Sequence, residues 1–245
     1  MSLLVVLILV AGAMLAPGLV IGPSLDAAVF NHVGGRVLDG VTPYLGTWDH
    51  KPPGIYLASA ATQALLGWFD PWAGDWLLSV AAAAGLGLGL ATVLARLGVG
   101  GWPRALSAVG ATLFAGHYLL ALGGGLTEPV GTALIATALA IAVLPTGRAA
   151  QGVMGMLAGL SVLFSVQMVP GAVAVLALAL ALQPAGSRGV GAARLAMGVA
   201  IPIASVGAWL QLVGALPAAL DAVVGYSVAY RGASAGYGAT LGVPV

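Results

Sequence analysis

Gly54-Ile55-Tyr56-Leu57-Ala58-Ser59-Ala60-Ala61-Thr62-Gln63-Ala64-Leu65-Leu66-Gly67-Trp68 is apolar enough to resemble a membrane helix, yet short for one. A helix needs roughly 20 residues to cross ~30 Å of hydrocarbon. This stretch also holds Ser59, Thr62 and Gln63 and runs into Trp68, Trp72 and Trp76, and tryptophan favours the headgroup level. It therefore predicts an interfacial or re-entrant helix rather than a span, and the charges on either side of it can test that reading.

The chain around it is strongly apolar. Of 245 residues, 60% are hydrophobic and 6% charged, with a mean hydropathy of +1.07. Soluble domains hold roughly 45–50% apolar residues. Apolar blocks run at 2–21, 75–95, 104–122, 127–145, 151–166, 168–183 and 195–213. The expected fold is an all-α polytopic membrane protein with about seven transmembrane helices. The first block has no Lys or Arg before its apolar core and is as long as a full span, so it reads as an uncleaved helix rather than a signal peptide.

If 54–68 does not cross and the N-terminus is cytoplasmic, Arg96, Arg104, Arg148, Arg188 and Arg194 all fall in cytoplasmic loops. Every Asp and Glu then falls outside, with Arg36, Lys51 and Arg231. Arginine concentrated in short cytoplasmic loops is the positive-inside pattern; a span at 54–68 would move Arg96 and Arg104 outside. The expected organisation over 1–245 is thus one transmembrane domain with a large first extracytoplasmic loop, 22–75, and an extracytoplasmic tail, 214–245. That loop holds seven of the fifteen Asp, Glu, Lys and Arg residues. Juxtamembrane helices are expected in it, one of them Asp26–Leu38 capped by Ser24. The predicted location is a cell (plasma) membrane, with the chemistry extracytoplasmic.

Residues 44–57, Tyr44-Leu-Gly-Thr-Trp48-Asp49-His50-Lys51-Pro52-Pro53-Gly54-Ile-Tyr56-Leu57, gather an acid, an imidazole, an amine and three aromatic rings, stiffened by Pro-Pro. Nothing about spanning a bilayer requires this cluster. Lys51 reads either as a snorkelling anchor or as a point charge for a phosphate, with Arg231 as a forked second donor. Asp49 and His50 could ligate a divalent metal, but two ligands make no site, and a structural hydrogen bond is the simpler account. Asp26 is either an acid favoured at a helix start or a general base at the membrane boundary. Glu128, in Thr127-Glu128-Pro129 after three glycines, either begins a helix or supports the site from below. His117 falls near the outer end of a span, where a satisfied intramembrane histidine is the default. Trp68-Phe69-Asp70-Pro71-Trp72 reads as an aromatic anchor. A net charge of +1 offers no basic face for nucleic acid, and without cysteine there is no disulfide or thiolate site.

Leu38-Asp39-Gly40-Val41-Thr42-Pro43-Tyr44 followed by Trp48-Asp49-His50-Lys51-Pro52-Pro53-Gly54-Ile55-Tyr56 resembles the polyprenyl-phosphate-dependent glycosyltransferases of the GT-C fold. Within them it is most similar to the protein O-mannosyltransferase and lipid A aminoarabinose transferase group (glycosyltransferase family 39-like). Thr127-Glu128 and Val224-Gly-Tyr226…Tyr230 add weaker support. The resemblance implies transfer of a sugar from a polyprenyl-phosphate carrier to a lipid, glycan or protein acceptor on the outer face. It implies Asp26 as the base, Lys51 with Arg231 on the carrier phosphate, and Tyr44, Asp49, His50, Tyr56 and Glu128 shaping the site. Members of that group are about twice this length, so a C-terminal part, or a partner supplying it, is expected to complete the contacts. The alternatives are a non-catalytic carrier-binding or flipping subunit, an inactive fragment of a larger transferase, and a secondary transporter. The last is disfavoured because transporters place ionisable groups mid-bilayer.

Overall fold

Ser2 and Ser24 start the first helical units by the same device, a side-chain oxygen accepting a backbone N–H three residues on. Ser2 Oγ takes Val5 N–H at 3.4 Å and Ser24 Oγ takes Ala27 N–H at 3.3 Å, satisfying donors that a helix start leaves free. The computed structural model describes residues 2–144, 147–226 and 228–229, without the side chains of Tyr118 and Leu119. Arg231 and Tyr230 lie outside the described residues, as does most of the expected tail 214–245.

The elements are α1 (Leu3–Leu15) and α2 (Pro17–Ile21), nearly continuous, then α3 (Leu25–Leu38), α4 (Gly54–Leu66), α5 (Ala73–Arg96), α6 (Gly101–Gly116) and α7 (Tyr118–Ala121). After these come α8 (Thr127–Ala142), α9 (Arg148–Phe164), α10 (Val169–Ala181), α11 (Arg188–Leu212), α12 (Leu216–Leu220) and a π-helical turn at Asp221–Gly225. Among the described residues the all-helical class is as expected, and each of the seven apolar blocks is mainly helical, two of them in two pieces. Three segments among the described residues, Leu3–Ile21, Ala73–Arg96 and Ala185–Leu212, are long and apolar enough to cross a membrane.

One difference concerns the block that holds His117. The block 104–122 is not one helix: α6 stops at Gly116, and His117 takes an extended conformation (φ −62°, ψ 128°) before α7. His117 therefore stands at an exposed break between two helices rather than inside one.

Long-range contacts fix the directions of the helices. Trp76 and Trp72, at the start of α5, donate their indole N–H groups to Leu15 and Gly18 carbonyls at the end of the first segment, at 2.9 and 3.1 Å. Ser79 Oγ accepts Gly125 N–H, just before α8, at 2.7 Å. The end of α9 meets the start of α4, where Gly54 sits against the Leu163 carbonyl too closely for any Cβ. Among the described residues, α1, α5, α6, α8, α9, α10 and α11 thus alternate in direction. Arg96, Arg104, Arg148, Arg188 and Arg194 gather at one end of the bundle; Asp26, Asp39, Asp49, Asp70, Asp75, Glu128 and Asp221 gather at the other.

At the acidic end, α3 and α4 lie side by side and run in the same sense: Phe30 meets Tyr56, Gly34 meets Ser59, and Gly35 meets Gln63. The α4 helix, 13 residues, is about 20 Å long, short of the hydrocarbon thickness. Its Ile55, Tyr56, Ser59 and Ala60 are buried against the bundle. A single apolar cluster joins Phe30, Val33, Tyr44, Tyr56, Val130, Phe164 and Leu210, so the helix pair packs onto α8, α9 and α11. Trp68 and Phe69 stack edge to face, centroids 6.1 Å apart, and both are exposed, as an interfacial anchor requires. Trp72 is instead buried in the core.

Candidate functional site

The cluster at 44–56 is built around the backbone of Lys51. Its carbonyl accepts the Tyr44 hydroxyl at 2.8 Å, with the Tyr56 hydroxyl 3.3 Å away. Tyr56 makes its shorter bond, 2.8 Å, to Asp49 Oδ2. The two rings meet edge to face, centroids 6.0 Å apart. Burial, reinforced by the nearby Asp49 carboxylate, pushes both phenols well above their ordinary pKa, so each stays a donor at any working pH. To reach this position Tyr44 adopts φ +69°, a left-handed conformation that is uncommon for an aromatic residue and persists only when its surroundings enforce it. Its N–H closes the turn onto the Thr47 carbonyl at 2.7 Å.

While the tyrosines hold the Lys51 backbone, Glu128 holds its ammonium. Lys51 Nζ lies 3.0 Å from Glu128 Oε1, with the lysine side chain 21% exposed and the glutamate 38%. Glu128 stands in the first turn of α8, where the helix dipole favours an acid, so it begins a helix and at the same time pairs with Lys51. One ammonium donor is committed to this pair, leaving capacity for a further acceptor.

Asp49 and His50 form the expected structural bonds. Asp49 Oδ1 accepts the His50 backbone N–H at 2.6 Å and lies 3.1 Å from His50 Nδ1. Among the described residues, no group of three or more His, Asp or Glu could hold a metal ion. The His50 ring packs on Tyr226, centroids 4.7 Å apart, and Trp48 meets Tyr226 edge-on at 5.6 Å. The weaker sequence element around Tyr226 therefore joins the stronger one.

Asp26 sits in the first turn of α3, exposed; among the described residues no hydrogen bond or ion pair is made by its carboxylate. Its neighbour Ala27 is buried against Gly125, which turns at φ +77° three residues before Glu128. The start of α3 thus lies beside the start of α8, bringing Asp26 to the end of the bundle that carries Lys51 and Glu128. A cleft of about 500 Å³ opens along α3, lined by Leu25, Val29, His32, Thr47 and Trp48. Trp48 offers an exposed ring to it, and Thr47 Oγ1 is buried without a hydrogen-bond partner among the described residues.

The second polar centre was not foreseen as such. Asp75, placed by the sequence on the extracytoplasmic side at the end of the loop 22–75, is 2% exposed in the first turn of α5. Its carboxylate accepts Asn31 Nδ2 at 2.8 Å, Ser59 Oγ at 2.7 Å and Thr62 Oγ1 at 2.9 Å. Gln63 Nε2 adds a bond to the Asn31 carbonyl at 2.7 Å. Neutral donors and the helix dipole together support a buried carboxylate here, and the network ties α3 and α4 to α5. The detectable signal was Ser59, Thr62 and Gln63 at i, i+3 and i+4, which place one polar stripe on a helix.

Comparisons of the chain with protein-family models, curated proteins and solved structures find no match.

Proposed function

We propose that this chain is a membrane glycosyltransferase that moves a sugar from a polyprenyl-phosphate carrier to an acceptor hydroxyl on the extracytoplasmic face. In this reading the seven alternating helices cross the bilayer, the N-terminus is cytoplasmic, and the arginine-rich end faces the cytoplasm. The α3–α4 pair lies at the outer headgroup level, where a lipid-linked donor presents its phosphate.

The observation that carries the reading is the clamping of Lys51. Two tyrosines hold its carbonyl and Glu128 holds its ammonium, so the only lysine of the chain is fixed at one point of the acidic end. A positive charge in a set of acids has a purpose there if an anion comes to it. The acceptor hydroxyl gives its proton to the Asp26 carboxylate as its oxygen bonds to the anomeric carbon. The bond from that carbon to the phosphate oxygen breaks, and the carrier phosphate leaves with the electron pair. Lys51 stabilises the charge that accumulates on the departing phosphate, an interaction strongest at the transition state. The cleft beside Trp48 would receive the acceptor.

The direct test is binding of a polyprenyl-phosphate-linked sugar to the purified protein and to Lys51→Ala. The variant should bind the donor more weakly, while acceptor affinity changes little. Equal donor affinity would remove Lys51 from the phosphate site.

A further inference from the structure

At the opposite end of the bundle a second feature stands independently of the proposed transfer chemistry. The α9 and α11 helices run in the same sense and cross with small residues at the contact: Gly155 abuts the Leu195 carbonyl, and Gly198 abuts the Gly152 carbonyl, so tightly that neither tolerates a Cβ. Helices that approach this closely leave a furrow beside the crossing. Here it is a groove of about 440 Å³, apolar along its length through Val153, Met156, Met197 and Ile201, with Arg148 and Arg194 lining it alongside them. The four apolar side chains are all exposed, so the groove opens laterally, toward the position of lipid. On α11 the lining residues Arg194, Met197, Gly198 and Ile201 follow the i, i+3, i+4, i+7 spacing of one helix face.

Charge at this end is uncompensated. Every acidic side chain of the chain lies at the other end of the bundle. Arg194 makes only a long 3.4 Å contact to Gln151 Oε1, and Arg148 makes no described hydrogen bond or ion pair. Arg148 also stands at the start of α9, where the helix dipole repels a cation and attracts an anion. Both the side chains and the helix end therefore favour an anion at the arginine end of an apolar furrow.

We infer that the α9–α11 groove binds an anionic phospholipid, its phosphate between Arg148 and Arg194 and one acyl chain along Val153, Met156, Met197 and Ile201. Basic pockets between helices at the positively charged end of a membrane protein suit such headgroups. Two arginines correspond to roughly a 30-fold preference for an anionic over a zwitterionic headgroup on the same acyl chains.

The experiment is native mass spectrometry of the full chain from discs of dioleoylphosphatidylcholine mixed with dioleoylphosphatidylglycerol, counting the lipids retained. The protein should retain phosphatidylglycerol selectively; Arg148→Ala with Arg194→Ala should bring the two lipids close to parity, and the paired Lys variant should keep most of the preference. Gly152→Leu supplies an independent check. A side chain added there meets open space and improves helix propensity, so it should fill the groove and lower retention of the lipid while the protein stays folded. No selectivity in the unaltered protein, or selectivity unchanged in both the alanine pair and Gly152→Leu, overturns the site. So does equal occupancy by soluble glycerol phosphate, which lacks the acyl chain.

Discussion

Lys51 and Glu128, separated by 77 residues of sequence, are joined by a 3.0 Å contact between Nζ and Oε1. The pair bridges the loop ahead of α4 to the first turn of α8, and it neutralises the charge that the proposed reaction needs. A phosphate arriving at Lys51 therefore meets an ammonium whose carboxylate partner opposes it. Glu128→Gln removes that opposition while keeping an acceptor of similar shape. We expect the variant to bind the polyprenyl-phosphate donor several-fold more tightly, read by equilibrium binding. Weaker binding would mean that Glu128 orients Lys51 more than it competes for it.

The two tyrosines differ in what their hydroxyls support. Tyr56 serves the nearly buried Asp49 carboxylate, so Tyr56→Phe should cost about 1–3 kcal/mol, the usual penalty for depriving a buried acceptor of its donor. Tyr44→Phe loses a bond to a backbone carbonyl and should cost about 1 kcal/mol. Chemical unfolding in detergent, comparing the two variants, checks the order. A larger loss in Tyr44→Phe would contradict the assignment.

Asp75 is held by three donors from α3 and α4, and its removal should loosen that pair from the bundle. Asp75→Ala leaves Asn31, Ser59 and Thr62 without their acceptor and should destabilise by on the order of 3 kcal/mol. Hydrogen exchange should rise first in 25–38 and 54–66, ahead of α9 and α11. Uniform exchange across the chain would show that the network does not anchor the pair in particular.

Orientation is open to labelling, because the chain contains no cysteine. Asp39→Cys lies on an exposed helix end at the acidic side, and Ser187→Cys on an exposed turn at the arginine side. Impermeant thiol reagents should reach the first from outside intact cells and the second only after permeabilisation. Ser59 would be a poor probe, since it is fully buried against Asp75. The reverse pattern would invert the proposed topology.

The helices were legible from composition because apolar runs bounded by Gly, Pro and charge leave few alternatives in such a chain. The reading of 54–68 as a short helix also followed from local facts: its length, its polar stripe and its tryptophans. Tertiary relations were hidden. No spacing rule links Lys51 to Glu128, and no propensity places Tyr44 at positive φ, since that conformation is imposed by the contacts around it. The sequence places Asp75 on the extracytoplasmic side and Trp72 in an aromatic anchor, both at the border of a loop rich in charge and aromatics. The fold instead turns both inward, Trp72 donating to the Gly18 carbonyl and Asp75 accepting from three side chains. His117 was assigned to a helix because its flanks are apolar, yet hydropathy carries no signal for the break that it occupies.

The reading of Asp26 as the base comes from the resemblance to the polyprenyl-phosphate transferases; in the structure its carboxylate is exposed at the head of α3, beside the turn leading to Glu128. The most direct measurement is transfer of radiolabelled sugar from a polyprenyl-phosphate donor to membrane acceptors by the unaltered chain and by Asp26→Asn. Transfer by the chain that falls at least about a hundredfold in the variant, the scale of general-base catalysis, with donor binding retained, is the expected result. Transfer that continues unchanged in Asp26→Asn would contradict it.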